Sequence, residues 1–184
     1  MPPWPPSNRV SVATSAGVAP RLAASRETIT GYALRLATAT ALVIDAVVHF
    51  QDAHFYDANA GALLTQGQLF RIQAVMALAA ALAVLVWPRW ISWLFAALVS
   101  ASAAAAVVAY TYLDIGPVAG LPNMYEPSWG PPGKLFSAYA EVAGALLALA
   151  GLAYTLARSR RAATERAPRP GDAPGAELWP STRA

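Results

Sequence analysis

The chain is 184 residues long, 57% hydrophobic and only 12% charged, where a soluble domain carries roughly 25% charged residues. It has no cysteine, which excludes disulfides, thiolate metal sites, iron–sulfur clusters and thiol redox chemistry. Its net charge of +3 comes from 12 arginines and one lysine set against ten acids. The arginines gather in the two ends of the chain rather than in a basic stripe with interleaved aromatics, so no nucleic-acid partner is expected.

Residues Met1 to Ser25 hold five prolines, small polar residues, Arg9 and Arg21. They contain no apolar run of the roughly 7–15 residues that a cleaved signal peptide needs. Residues 1–28 are therefore expected to remain as a disordered tail. Four apolar segments follow, at about 29–56, 69–87, 90–112 and 135–157. Each has the length that crosses a hydrocarbon core of ~30 Å. A soluble bundle would show a polar stripe along every helix, and Ala74–Val86 and Leu94–Ala109 show almost none. Residues 158–184 are basic and proline-containing and read as a second disordered tail. The expected fold is all-α, a four-helix transmembrane bundle over 29–157.

Charge orients it. Arg9, Arg21 and Arg26 precede the first segment, Arg89 sits in the short turn between the second and third, and Arg158, Arg160, Arg161, Arg166, Arg169 and Arg183 follow the fourth. The other two connections carry Asp52, Asp57, Asp114 and Glu126, with only Arg71 and Lys134 beside them. Positive charge stays inside, so both termini are expected in the cytoplasm. The arginine- and alanine-rich usage points to a GC-rich bacterial genome, and hence to a bacterial plasma membrane. Trp87, Trp90, Trp93 and Tyr154 would form an inner aromatic belt, and Phe50, Phe55, Tyr56, Tyr110, Tyr112, Trp129 and Phe136 an outer one.

Small residues predict the helix contacts. Ala77, Ala79–Ala81 and Ala83 in the second segment, and Ser100–Ala106 in the third, suit a close antiparallel hairpin. In the fourth, Gly144, Ala148, Gly151 and Thr155 share one face that should point into the bundle.

Ionisable groups inside a bilayer need an explanation. Arg35, near the cytoplasmic end, can snorkel to the interface. Asp45 and His49 stand four residues apart, and Thr38, Asp52 and Tyr56 lie within about 40° of Asp45 on the same helical face. A carboxylate and an imidazole at that spacing can pair. Glu141, two turns into the fourth segment from the outer side, falls on the face of Gly144 and Ala148. Arg71, at the outer start of the second segment, is the expected cation for two buried carboxylates, and Tyr110 closes the third at that level. A cluster of Asp45, His49, Arg71, Tyr110 and Glu141 is thus expected in the outer half, either as an ion-pair network that fixes helix packing or as a ligand, ion or proton site. Asp45, His49 and Glu141 are weak candidates for a metal. His54 points about 140° from His49 and cannot chelate with it on a continuous helix, and two histidines on one segment do not make a bis-histidine haem site. No cofactor is expected.

The proline- and glycine-rich connection from Asp114 to Lys134 carries Leu121, Met124, Tyr125 and Trp129, which fits a packed lid or an interfacial anchor. There is no phosphate-binding glycine loop and no nucleophile elbow, so no enzyme class is supported.

The run Asp45-Ala-Val-Val-His49-Phe50, the approach to Gly67-Gln68-Leu69-Phe70 and the motif Ala140-Glu141-Val-Ala-Gly144 resemble a group of small four-helix actinobacterial integral membrane proteins. The resemblance covers about residues 30–157, and helix count alone is similar to the DoxX-like family. It implies fold and membrane location but no activity. Two functions are therefore expected. One is a subunit or accessory component working through helix contacts, in a homo-oligomer or with other membrane subunits. The other is a small-solute, ion or proton transporter or binding protein that uses the outer cluster, although the two hairpins show no inverted repeat.

Overall fold

The computed structural model describes residues 18–130 and 132–166, with side chains from 28 to 130 and from 133 to 166. Four helices follow in order: α1 (Val18–Asp52), α2 (Gln66–Val86), α3 (Trp90–Tyr112) and α4 (Pro132–Arg166). A 3-10 turn at Ala53–Tyr56 continues α1, and there is no strand among the described residues. Each helix supplies a stretch long and apolar enough to cross a membrane: Thr28–Tyr56, Gln66–Val86, Trp90–Tyr112 and Gly133–Arg166. Helical backbone runs past the expected segments at both chain ends, back to Val18 and on to Arg166. What is left of the two expected tails, 1–17 and 167–184, lies outside the described residues.

The helices pack as an antiparallel ring, α1 on α2 and α4, α3 on α4 and α2. Local signals set their ends. Thr65 opens α2 with a capping box: its hydroxyl accepts from the Gln68 N–H at 3.0 Å while Gln68 Oε1 accepts from the Thr65 N–H at 2.9 Å. Two of the orphan N–H groups of the first turn are served in this way, so α2 starts three residues before the expected Leu69. Pro88 closes the other end, because the residue before a proline is pushed out of the α region. Trp87 has left helical geometry, and the Ser92 hydroxyl donates to its carbonyl at 2.6 Å, which holds the two-helix turn. We call this the turn end; Thr28 of α1 and Thr155 of α4 stand beside Pro88 there. The loop end holds 53–65 and 113–130.

Ile29, Leu36, Leu82, Val86, Leu98, Phe136 and Leu146 are each 60% exposed or more. So much large apolar surface suits a hydrocarbon solvent and not water. The interior is built from small residues instead: Ala39, Ala46, Ala74, Ala77, Ala80, Ala96, Ala97 and Ala148 surround Leu42, Val84 and Trp93. Hydrocarbon gives no hydrophobic drive between helices, so cohesion depends on close van der Waals approach.

Two sequence expectations are corrected here. Trp93 does not join the aromatic belt; it is 2% exposed and packs in the core. Its indole lies where a side chain on Gly151 would stand, so the glycine is what lets α3 and α4 close around so large a group. Nor do α2 and α3 make the close approach that their small residues suggested. Despite their short turn they make the sparsest contact of the four neighbouring pairs. Ser100 packs on Gly144 of α4, and Ala103 and Ala106 border open space.

The long connection between α3 and α4 is a packed lid. Leu63 N–H donates to the Gly120 carbonyl at 2.9 Å, Glu126 N–H to the Tyr110 carbonyl at 2.9 Å, and Asn59 Nδ2 to the Asn123 carbonyl at 2.8 Å. Pro122, within it, is fully buried.

Candidate functional site

The lid covers a cavity of about 560 Å³ in the loop-end half of the bundle. All four helices contribute: His49, Asp52 and Tyr56 from the α1 face, Phe70 and Gln73 from α2, Tyr110 from α3, and Lys134, Ser137 and Glu141 from α4. Leu121, Met124 and Glu126 of the lid close the top. Tyr56 and Tyr110, expected in the outer aromatic belt, turn inward to line this space.

At its floor the polar face of α1 meets α4. Asp45 is 1% exposed and Glu141 2% exposed, and burying such groups is costly unless they are paired and hydrogen-bonded. Asp45 is. Its Oδ1 lies 2.8 Å from His49 Nδ1, and its Oδ2 accepts from Gln73 Nε2 at 3.0 Å. The His49 Nδ1–H is thereby committed to Asp45, whose carbonyl oxygen is also 3.0 Å away, leaving Nε2 directed at Glu141 Oε1, 3.8 Å off. Ser137 Oγ is 2.6 Å from Glu141 Oε1 and 3.3 Å from Asp45 Oδ1. A hydroxyl has one proton to give, and the shorter distance assigns it to Glu141. Glu141 Oε2 is buried and has no hydrogen-bond partner.

The upper wall is aromatic and then charged. Phe70 stands edge-on to His49 with ring centres 5.0 Å apart and 4.9 Å from Tyr56. Tyr56 Oη donates to Glu126 Oε2 at 3.0 Å. Lys134 Nζ donates to the carbonyls of Glu126 and Ser128 at 2.6 and 2.9 Å, which ties the lid to the start of α4. The carboxylate of Asp52 rests against Gly133 at that same helix start.

Of the five residues expected to meet, Asp45, His49 and Glu141 do, and Tyr110 borders the same cavity. Arg71 does not. Its guanidinium makes a two-pronged pair with Asp57 at 2.6 and 2.8 Å, on the exposed side of α2. The hydrogen bond from Arg71 holds the Asp57 carboxyl below its ordinary pKa. The physical reason is rotation: α2 turns Gln66, Phe70, Gln73 and Ala77 inward, and Arg71 stands one residue, about 100°, from that line. Gln73 therefore fills the place given to Arg71, with an amide instead of a charge.

Gln73 and Ser137 were missed, although both carried a signal. Gln73 is a polar residue at the 3–4 spacing of the apolar face of α2, and Ser137 lies one turn before Glu141 on the Gly144–Ala148 face. His54 is exposed and stacks on Phe55, away from His49, even though the α-helix ends between them.

Written with both carboxylates ionised, the cluster does not balance. Two buried carboxylates face one imidazole, and with Arg71 elsewhere even a protonated His49 leaves one negative charge uncompensated. A proton or a cation at Glu141 completes the account. Asp45, His49 and Glu141 each place a ligand atom within 4.8 Å of the others, the only such acid–histidine group among the described residues. In that geometry Asp45 would orient the imidazole from behind, while His49 Nε2 and Glu141 would face an ion. Compared with protein-family models, with curated proteins and with solved structures, the chain matches none.

Proposed function

We propose that the protein is a multi-pass protein of the bacterial plasma membrane that binds a small cationic solute in the loop-end cavity. Both termini and the turn end lie in the cytoplasm, following the arginines at 35, 89, 158, 160, 161 and 166. The cavity then opens from the outer half of the membrane, beneath the lid. One observation carries the reading: Glu141, on the cavity wall, keeps a buried carboxylate oxygen without a partner, and the nearest imidazole nitrogen stands 3.8 Å from its other oxygen. The other charged groups agree. Asp52, Glu126 and Glu141 line the space against a single lysine, and Lys134 is engaged by backbone carbonyls.

Action as an accessory subunit draws less support. The small-residue faces that would serve a partner are used within the chain, Gly144 against Ser100 and Gly151 against Trp93.

The test is equilibrium binding to detergent-purified protein, with tetraethylammonium, tetraphenylphosphonium, Zn²⁺ and Mn²⁺ as probes. At least one should bind at one per chain, and Glu141→Gln should weaken it tenfold or more without lowering thermal stability. Arg71→Ala should bind as the parent does. If none of the four cations binds, or if Glu141→Gln binds them equally well, the reading fails.

A further inference from the structure

A second cavity, of about 370 Å³, lies at the opposite, turn end of the bundle. It is independent of the cation site, and its chemistry has the opposite sign. Arg35 of α1 and Arg158 of α4 both line it, together with Tyr32, Trp93, Tyr154 and Thr155, and among the described residues no carboxylate does. Each guanidinium is held over an aromatic ring, Arg35 over Tyr32 at 5.0 Å and Arg158 over Tyr154 at 5.8 Å. Such stacking orients the charge without neutralising it.

Two donors in this wall lack acceptors. Arg35 Nε and the indole Nε1 of Trp93 are buried with no hydrogen-bond partner. Trp93 is 2% exposed, so its N–H has no solvent to turn to. Buried donors without partners are rare, and each calls for a group that the chain itself does not supply. The Arg35 Nε is buried even though its side chain is only half-buried, and a tryptophan that packs in the core has no interface to reach.

We propose that this cavity binds a phosphoryl group, with Arg35 and Arg158 flanking it and the Trp93 indole donating from the floor. A guanidinium presents a planar fork of N–H donors that matches the oxygens of phosphate. Two such forks from different helices, with aromatic walls and hydroxyl-bearing Thr155 beside them, suit a phosphate that carries an organic substituent. The position suits the same ligand, because the turn end is where the arginines of the chain meet the polar boundary of a membrane. The phosphate can come from the headgroup of an anionic phospholipid or from a soluble phosphate.

Native mass spectrometry on the full-length protein in mild detergent separates these sources. Phosphatidylglycerol, phosphatidylcholine and inorganic phosphate are titrated in turn. Phosphatidylglycerol should be retained at one per chain and more tightly than phosphatidylcholine, with retention falling at least tenfold in Arg35→Gln and severalfold in Trp93→Phe, which keeps a ring but loses the donor. Inorganic phosphate binding with the same sensitivity, in place of lipid, supports the phosphoryl site with a soluble source. Arg158→Gln, at an exposed position, guards against loss of folding and should weaken binding as well. Retention unchanged across all three variants, or no binding by any of the three probes, overturns the proposal.

Discussion

Toward the turn end the helices close on one another around Trp93, with Val84, Ala96, Ala97 and Gly151 packed behind it, and the smaller cavity there is walled by arginines and aromatic rings. At the loop end the same helices stand apart around a cavity; beneath it Gln73 of α2 donates to Asp45 of α1, and Ser137 and Glu141 of α4 close on Asp45 and His49 at 3.3 and 3.8 Å. One half coheres by close approach of backbones. The other coheres by a few directed contacts, and directed contacts tolerate a gap where dispersion does not. A bundle of small residues can therefore keep the larger cavity open only if the helices are packed tightly enough elsewhere to stay in register.

The comparison can be broken at either end. The largest effect is expected from Asp45→Ala, which strands Gln73 Nε2 and leaves the His49 Nδ1–H only the backbone carbonyl at position 45. Removing one partner of a buried pair costs about 3–5 kcal/mol, to be read as reduced resistance to unfolding in a mixed-micelle SDS titration followed by circular dichroism. Asp45→Asn should lose clearly less, since an acceptor oxygen remains. Equal losses would mean that charge rather than hydrogen bonding holds this half together. Next in size is Gly151→Ala, which drives a methyl group into the Trp93 ring. Overpacking of this kind costs about 1–3 kcal/mol, and unchanged stability would show that α3 and α4 are not in close contact at the turn end.

A change of similar size is expected from Gln73→Leu, which leaves Asp45 Oδ2 without its donor. The cost is about 1–3 kcal/mol, and the histidine proton resonance of His49 should shift in NMR spectra because its carboxylate partner has lost a donor. A His49 signal identical to the parent would remove Gln73 from the network. The smallest effect is expected from Arg71→Ala, with stability unchanged at neutral pH, because the Asp57–Arg71 pair stands outside the core. Arg71 lowers the Asp57 pKa, so any stability that the pair adds is present above the ordinary aspartate pKa and fades as the pH falls through the lowered value. A large loss at neutral pH would return Arg71 to the buried cluster.

Much of this was legible in the residues. Four apolar segments of spanning length are a one-dimensional property, and all four are helices. The convergence of Asp45, His49 and Glu141 followed from depth and helical phase, which are counted from the same end on two helices. The capping box at Thr65 was present as Thr65-Gln66-Gly67-Gln68, a Thr followed three residues later by a Gln, yet the apolar run alone suggested a start at Leu69. Trp93 read as an interfacial anchor because the complementary notch at Gly151 is 58 residues away, on another helix, and nothing local marks it.

The sequence by itself determined that the chain is helical, how many times it can cross a membrane and which end of α1 carries buried charge. Hydropathy, length and the 3.6-residue period act within one segment and need no neighbour. Only the tertiary structure decided which partner each polar group meets. A step of one residue turns a side chain by about 100°, enough to send Arg71 to Asp57 on the outside and bring Gln73 to Asp45 on the inside. The absolute rotation of a helix is set by the shapes packed against it, as with Trp93 on Gly151 and Ser100 on Gly144.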